Sequence, residues 1–154
     1  MLLVDIDGTR MKQVASDITA SNGICETFLG DVTEEDQVAE FFKLAFDKWG
    51  KIDLLVNSAG RDSLSPLISE TTLEEWNKTI GPNLTAVFLC CREAFRYMEK
   101  QHTGGRIINM GSSSAKVASG PGHSPYRASK HGMMGLSKKH FAGRQGQEYR
   151  CNGH

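Results

Sequence analysis

The sequence has 154 residues, 39% of them hydrophobic, which suits one domain with a sizeable core. Lys plus Arg and Asp plus Glu number 18 each and are interspersed, so the zero net charge removes the electrostatic case for nucleic acid as a partner. No apolar run approaches the roughly 18 residues that span a bilayer, and no basic flank with a signal-like core opens the chain. The reading is a soluble, cytoplasmic protein without a membrane partner.

The chain opens on Leu2, Leu3 and Val4 running into Asp5, which predicts a buried strand with a carboxylate at its C-terminal end. Residues 9–22 follow a helical pattern through Met11, Val14, Ala15 and Ile18, closed by Asn22 and Gly23. Residues 24–29 read as a second strand that ends in Gly30, Asp31 and Val32. Thr33 is the expected cap of the next helix, with Asp36 completing a capping-box variant. That helix shows Val38, Phe41, Phe42, Ala45 and Trp49 on one face and ends at Gly50.

Residues 52–56 are almost wholly apolar, the mark of a parallel strand covered on both faces. They run into Asn57, Ser58, Ala59 and Gly60, whose small side chains let a flat ligand approach the backbone. A polar loop then leads to a long helix that starts at Thr72, with Glu75 completing its capping box. Leu73, Trp76, Ile80, Leu84, Val87, Cys91 and Met98 recur along it, and Gly81-Pro82 predicts a kink. Residues 106–110 are the fourth strand and run into Gly111, Ser112, Ser113 and Ser114.

Cys25, Cys90, Cys91 and Cys151 form no CxxC pair and have no histidine at metal-ligand spacing, so no metal site is expected and the thiols read as reduced. Alternating strands and helices predict an α/β fold, a parallel, doubly wound sheet. In such sheets ligands bind beyond the carboxyl ends of the strands, where Asp5, Asp31, Asn57 and Ser112 share one rim. Tyr126 and Lys130 stand four residues apart after Ser124-Pro125, a good helix start, and so lie on one helical face. An ammonium beside a phenol lowers a pKa that is ordinarily about 10, which suits proton exchange with an alcohol or ketone. His123, just before this pair, reads as a loop residue.

In these motifs the chain resembles the short-chain dehydrogenase/reductase family nearly end to end. Asn57-Ser58-Ala59-Gly60 is similar to the family's Asn-Asn-Ala-Gly, Asn109-Met110-Gly111-Ser112 to its Asn-x-Ser-Ser, and Tyr126 with Lys130 to its Tyr-x-x-x-Lys. The resemblance implies a Rossmann-type sheet, one partial domain over residues 1–154, and a homodimer or homotetramer. It implies hydride transfer between NAD or NADP and a small-molecule ketone or secondary alcohol, with no metal. Tyr126 would be the general acid/base, Lys130 its pKa-lowering partner and a ribose ligand, and Ser112 the contact to the substrate oxygen. Asn83 would steady a proton-relaying water chain.

Asp31 and Val32 would contact the adenine, and Asn57, Ala59 and Gly60 would border the cofactor. Asp5 would bind the adenosine ribose and favour NAD over NADP. Ser112 keeps the family's distance from Asn109, whereas Ser113 keeps the commoner thirteen-residue distance to Tyr126. The family's opening strand with its Gly-rich turn and its C-terminal substrate segment have no counterpart here, so the fold is expected to be truncated at both ends. Two unpaired strand edges are then expected in the middle of the sheet. The competing reading is a catalytically inactive remnant that serves as a binding or oligomerisation module. The stretch from 111 to 130 resembles both polyol and sugar dehydrogenases and 3-oxoacyl reductases.

Overall fold

In the computed structural model the described residues are 1–62, 67–112, 122–139 and 149–153, with the end of the fifth helix and the last strand described as backbone only. Strands and helices alternate as the sequence predicts. β1 is Leu2–Asp5, α1 Gly8–Ala20, β2 Glu26–Leu29, α2 Glu35–Trp49 and β3 Leu54–Asn57. A 3-10 turn at Ile68–Glu70 precedes α3, Leu73–Ile80, followed by a π-helical turn, Gly81–Thr85, and α4, Ala86–Lys100. β4 is Gly105–Asn109, α5 Ser124–Lys139 and β5 Tyr149–Gly153.

Every strand pair is parallel: β1 with β2, β3 with β4, and β4 with β5. Among the described residues no ladder joins β1 to β3, so the strands form a two-stranded and a three-stranded sheet. The expected pair of open edges is present. One core nevertheless spans both, because Leu2, Val4 and Phe28 of the first sheet pack on the same cluster as Leu55 and Ile107 of the second. Phe41 of α2 meets Phe28 edge-on at 5.8 Å between ring centroids. On the opposite face a Cβ built at Gly8, the first residue of α1, would stand 3.3 Å from Leu29 Cδ1. The first sheet is thus wound on both sides.

Three local expectations are corrected. Thr33 does not cap α2: its hydroxyl and N–H both donate to Asp31 Oδ1, at 2.7 and 2.8 Å, and Glu34 holds the cap position without a side-chain bond. A carboxylate two residues back competes for that hydroxyl and wins. β3 is not covered on both faces, since Leu55 packs inward while Leu54 and Val56 are 52% and 48% exposed. Leu73, expected on the buried stripe of the long helix, is 74% exposed, because α3 is buried only at Thr79 and the apolar stripe is buried further on, at Val87, Cys91 and Met98.

The capping box and the helix stop hold. Thr72 and Glu75 form the reciprocal capping box, and Gly50 ends α2 in the left-handed conformation at φ 70. The kink at Gly81-Pro82 takes the form of the π-turn, which absorbs the hydrogen bond that proline cannot donate. Cys90 and Cys91 are buried and Cys25 is half-buried, none of them in a disulfide, while the side chain of Cys151 lies outside the described residues. Burial and the neighbouring Glu93 push the Cys90 thiol up to about 12. Among the described residues no helix is long and apolar enough to cross a membrane, and no group of three or more His, Cys, Asp or Glu side chains is placed to hold a metal.

Candidate active site

Parallel pairing puts the ends of β3 and β4 level, with Asn57 opposite Asn109. The chain leaves β3 through Ser58, Ala59 and Gly60, all exposed. This segment is held from below by the π-turn. Asn83, 0% exposed, accepts the Arg61 N–H at Oδ1 (2.6 Å) and donates from Nδ2 to the Arg61 carbonyl (2.8 Å). A Cβ built on Gly60 would lie 3.0 Å from Asn83 Oδ1 and 4.0 Å from Lys130 Nζ, so glycine is what lets the segment approach so closely.

Tyr126 and Lys130 lie one turn apart in the first half of α5, as their spacing predicts. Lys130 Nζ stands 5.7 Å from the centroid of the Tyr126 ring and donates to the Met110 carbonyl just past β4, at 2.8 Å. Only 7% of Lys130 is exposed, and burial pushes its ammonium below the ordinary 10.5. Tyr126 is half-buried. His123 Nδ1 lies 3.4 Å from Asp62 Oδ1, a link between the segment after β3 and the start of α5. Lys130, Asn83, Gly60 and Tyr126 are therefore brought together.

Ser112 is half-buried, three residues past the end of β4. Ser113 lies outside the described residues. Asp5, at the end of β1, is exposed and accepts the Asp7 N–H at Oδ1, at 2.8 Å. Asp31 follows β2, its carboxylate turned onto Thr33 and its N–H bonded to Gln37 Oε1 at 2.8 Å. Val32 packs against the core. Asn57 donates from Nδ2 to Asn109 Oδ1 at 2.8 Å, so one face of its amide points into the sheet rather than outward.

The sequence reading passed over the buried polar set beneath the site. Asn109, 0% exposed, donates to Ser137 Oγ at 3.0 Å, and Ser137 in turn donates to the Met133 carbonyl. Ser129 links Asn83 to α5. Both serines lie on the helix stripe with Tyr126 and Lys130, and that spacing was the available signal.

The short chain dehydrogenase profile matches residues 1–148. The chain belongs to the short-chain dehydrogenase family. It is 38% identical over 132 residues to a 3-oxoacyl-[acyl-carrier-protein] reductase of Synechocystis sp., covering 84% of this chain and 51% of that one. It is 34% identical over 149 residues to a D-threitol dehydrogenase of Mycolicibacterium smegmatis, covering 97% of this chain and 56% of the relative. It thus spans about half the length of the curated relatives it matches. Its fold superposes with a TM-score of 0.89 on a metagenomic short-chain oxidoreductase in complex with NADP, at 28% identity, over 99% of this chain and 68% of that one. The TM-score is 0.91 for a short-chain dehydrogenase/reductase of Burkholderia phymatum in complex with NAD, at 25% identity, over 99% of this chain and 54% of the other. Family members thus bind NAD or NADP, and these relatives are reductases and dehydrogenases.

Proposed function

We propose that this chain is an NAD(P)-dependent oxidoreductase that interconverts a secondary alcohol and a ketone, with Tyr126 as general acid/base. The observation that carries the reading is the Tyr126–Lys130 pair on one face of α5, with the ammonium 5.7 Å from the ring and shielded from water. The Tyr126 hydroxyl, on the same helical face as Lys130, takes a proton from an alcohol or returns one to a ketone. A bound nicotinamide cofactor supplies or accepts the hydride, which leaves proton handling and positioning to the protein.

The residues fit such a cofactor. Gly60 offers backbone with no side chain in the way, beside Ala59 and the end of β3 at Asn57. The exposed carboxylate of Asp5 suits two ribose hydroxyls and repels a 2′-phosphate, so NAD is preferred over NADP. Asp31 and Val32 border the adenine end, with Tyr126 and Lys130 at the nicotinamide ribose. Ser112 orients the substrate oxygen. Asn83, both of whose amide hydrogens are spent inside the protein, serves the proton path by fixing the backbone around it.

The substrate is a small secondary alcohol or its ketone, and the similarity to a 3-oxoacyl reductase and a D-threitol dehydrogenase supports that class. The working unit is a cytoplasmic single-domain chain that pairs as a homodimer or homotetramer, supported by the exposed Leu73 of α3 and Phe88 of α4. A second reading, an inactive module for binding or oligomerisation, draws support from the open edges of β1 and β3.

Calorimetric titration of the purified chain with NADH and NADPH, beside its mass in solution by light scattering, tests the proposal. Saturable binding by a discrete oligomer, tighter for NADH, is expected, and Asp5→Ala should narrow the ratio between the two nucleotides. Absence of binding by a well-folded oligomer would favour the inactive module.

A further inference from the structure

α5 turns two serines toward the interior, and only one of them reaches the candidate site. Ser129 is 0% exposed. Its hydroxyl donates to the carbonyl of Tyr126 at 2.6 Å and accepts an amide hydrogen of Asn83 at 3.3 Å. The other Asn83 amide hydrogen goes to the Arg61 carbonyl, and Asn83 Oδ1 takes the Arg61 N–H. One unbroken line of bonds therefore runs from the segment after β3, through the π-turn, into the first turn of α5. A group at this position must accept from an amide and donate to a carbonyl at once, in a space closed to water, and a hydroxyl does both.

We infer that Ser129 is a positioning residue that sets Tyr126 over Lys130 by tying its backbone to Asn83. The inference rests on the proposed function, in which those two side chains handle the proton. The π-turn supplies the reason for such a tie. A Gly-Pro step in a π-helical turn is held less firmly by its own backbone bonds than an α-helical turn, and the amide it carries is anchored at both ends by other elements. Loss of the Ser129 hydroxyl leaves one Asn83 amide hydrogen without its acceptor and cuts the tie between the π-turn and the Tyr126 backbone.

Ser137 provides the control within the same helix. It also donates to a carbonyl within its own helix, that of Met133 at 2.8 Å, and accepts a buried amide hydrogen, from Asn109 at 3.0 Å. Its bonds are of the same kind, but Ser137 stands about three turns from Tyr126 along α5.

The test uses chain labelled with 3-fluorotyrosine, read by fluorine NMR, with Tyr126→Phe assigning the resonance. Ser129→Ala should shift and broaden the Tyr126 signal and leave that of Tyr97 in place, whereas Ser137→Ala should move neither. In NADH-driven reduction of ethyl acetoacetate, Ser129→Ala should lower kcat by about tenfold to a hundredfold with little change in KM for NADH. Equal effects of the two serine variants, or an unmoved Tyr126 resonance in Ser129→Ala, would overturn the positioning role. A wild-type chain that neither binds NADH nor reduces the ketone would overturn the proposed function instead, and the fluorine spectra would still decide whether Ser129 holds Tyr126.

Discussion

Lys130 carries its charge in a place that resists charge. Burial disfavours the ammonium, and one carbonyl, that of Met110, partly offsets the loss of water. The folded chain therefore holds this proton less tightly than the unfolded chain, whose lysine titrates at the ordinary 10.5. Below the depressed pKa both states are protonated and the full penalty weighs on folding. Between that pKa and 10.5 the unfolded state binds more protons, so this group's contribution to stability improves as pH rises. Lys130→Met, which removes the charge and keeps the bulk, should gain most over the wild type near neutral pH. Its advantage should narrow as pH climbs toward 10.5. Urea unfolding of both proteins across that range measures the difference, and a flat difference would show that burial of Lys130 is not what sets it. The spacing of Tyr126 and Lys130 was legible from the sequence, because period is a property of a helix alone. The depth of burial was not, because it depends on Met110 and Gly60, which arrive from other elements.

Among the elements, the long helix teaches most about what local signals carry. Its capping box at Thr72 and Glu75 formed as written, since both partners sit within one turn. Pro82 announced a break, yet its form as a π-turn, with Asn83 aimed at the backbone of Arg61, came from contacts 22 residues apart in the chain. At α2 the same type of reading failed at one end and held at the other. Thr33 lost its hydroxyl to Asp31, a competitor the capping pattern does not consider. Gly50 ended the helix as expected, at φ 70, where a side chain is strained. Gly50→Ala should therefore cost about 1 kcal/mol in urea unfolding, although nothing surrounds the position to clash with a methyl group. A neutral or stabilising result would mean that the left-handed turn is not kept in solution.

At the level of the whole molecule, two parallel sheets share one core through the helices that cover them. Leu2 and Val4 meet the cluster that Phe41, Leu55 and Ile107 also join, while the backbone edges of β1 and β3 stay unpaired among the described residues. Open parallel edges and the apolar face bearing Leu54 and Val56 are features that promote association. Replacing both side chains by threonine keeps β propensity and should raise the concentration at which light scattering detects aggregation, with stability changed by no more than about 0.5 kcal/mol. A larger loss of stability would mean that this face is covered in solution, by another copy or another part of the sheet.

The sequence by itself determined the alternation of strand and helix, the parallel sheet and the residues of the rim. Those features follow from apolar period, caps, and small residues after strands, all of which act over a few positions. It also determined the family, because the ordered motifs from Asn57 to Lys130 occur together. The tertiary structure alone decided which polar groups are spent internally. Asn57 and Asp31 each turn a side chain toward a neighbour, and Asn83 is consumed by Arg61 and Ser129. The physical reason is that a buried amide or hydroxyl must find a partner, and which partner is within reach depends on how distant segments meet.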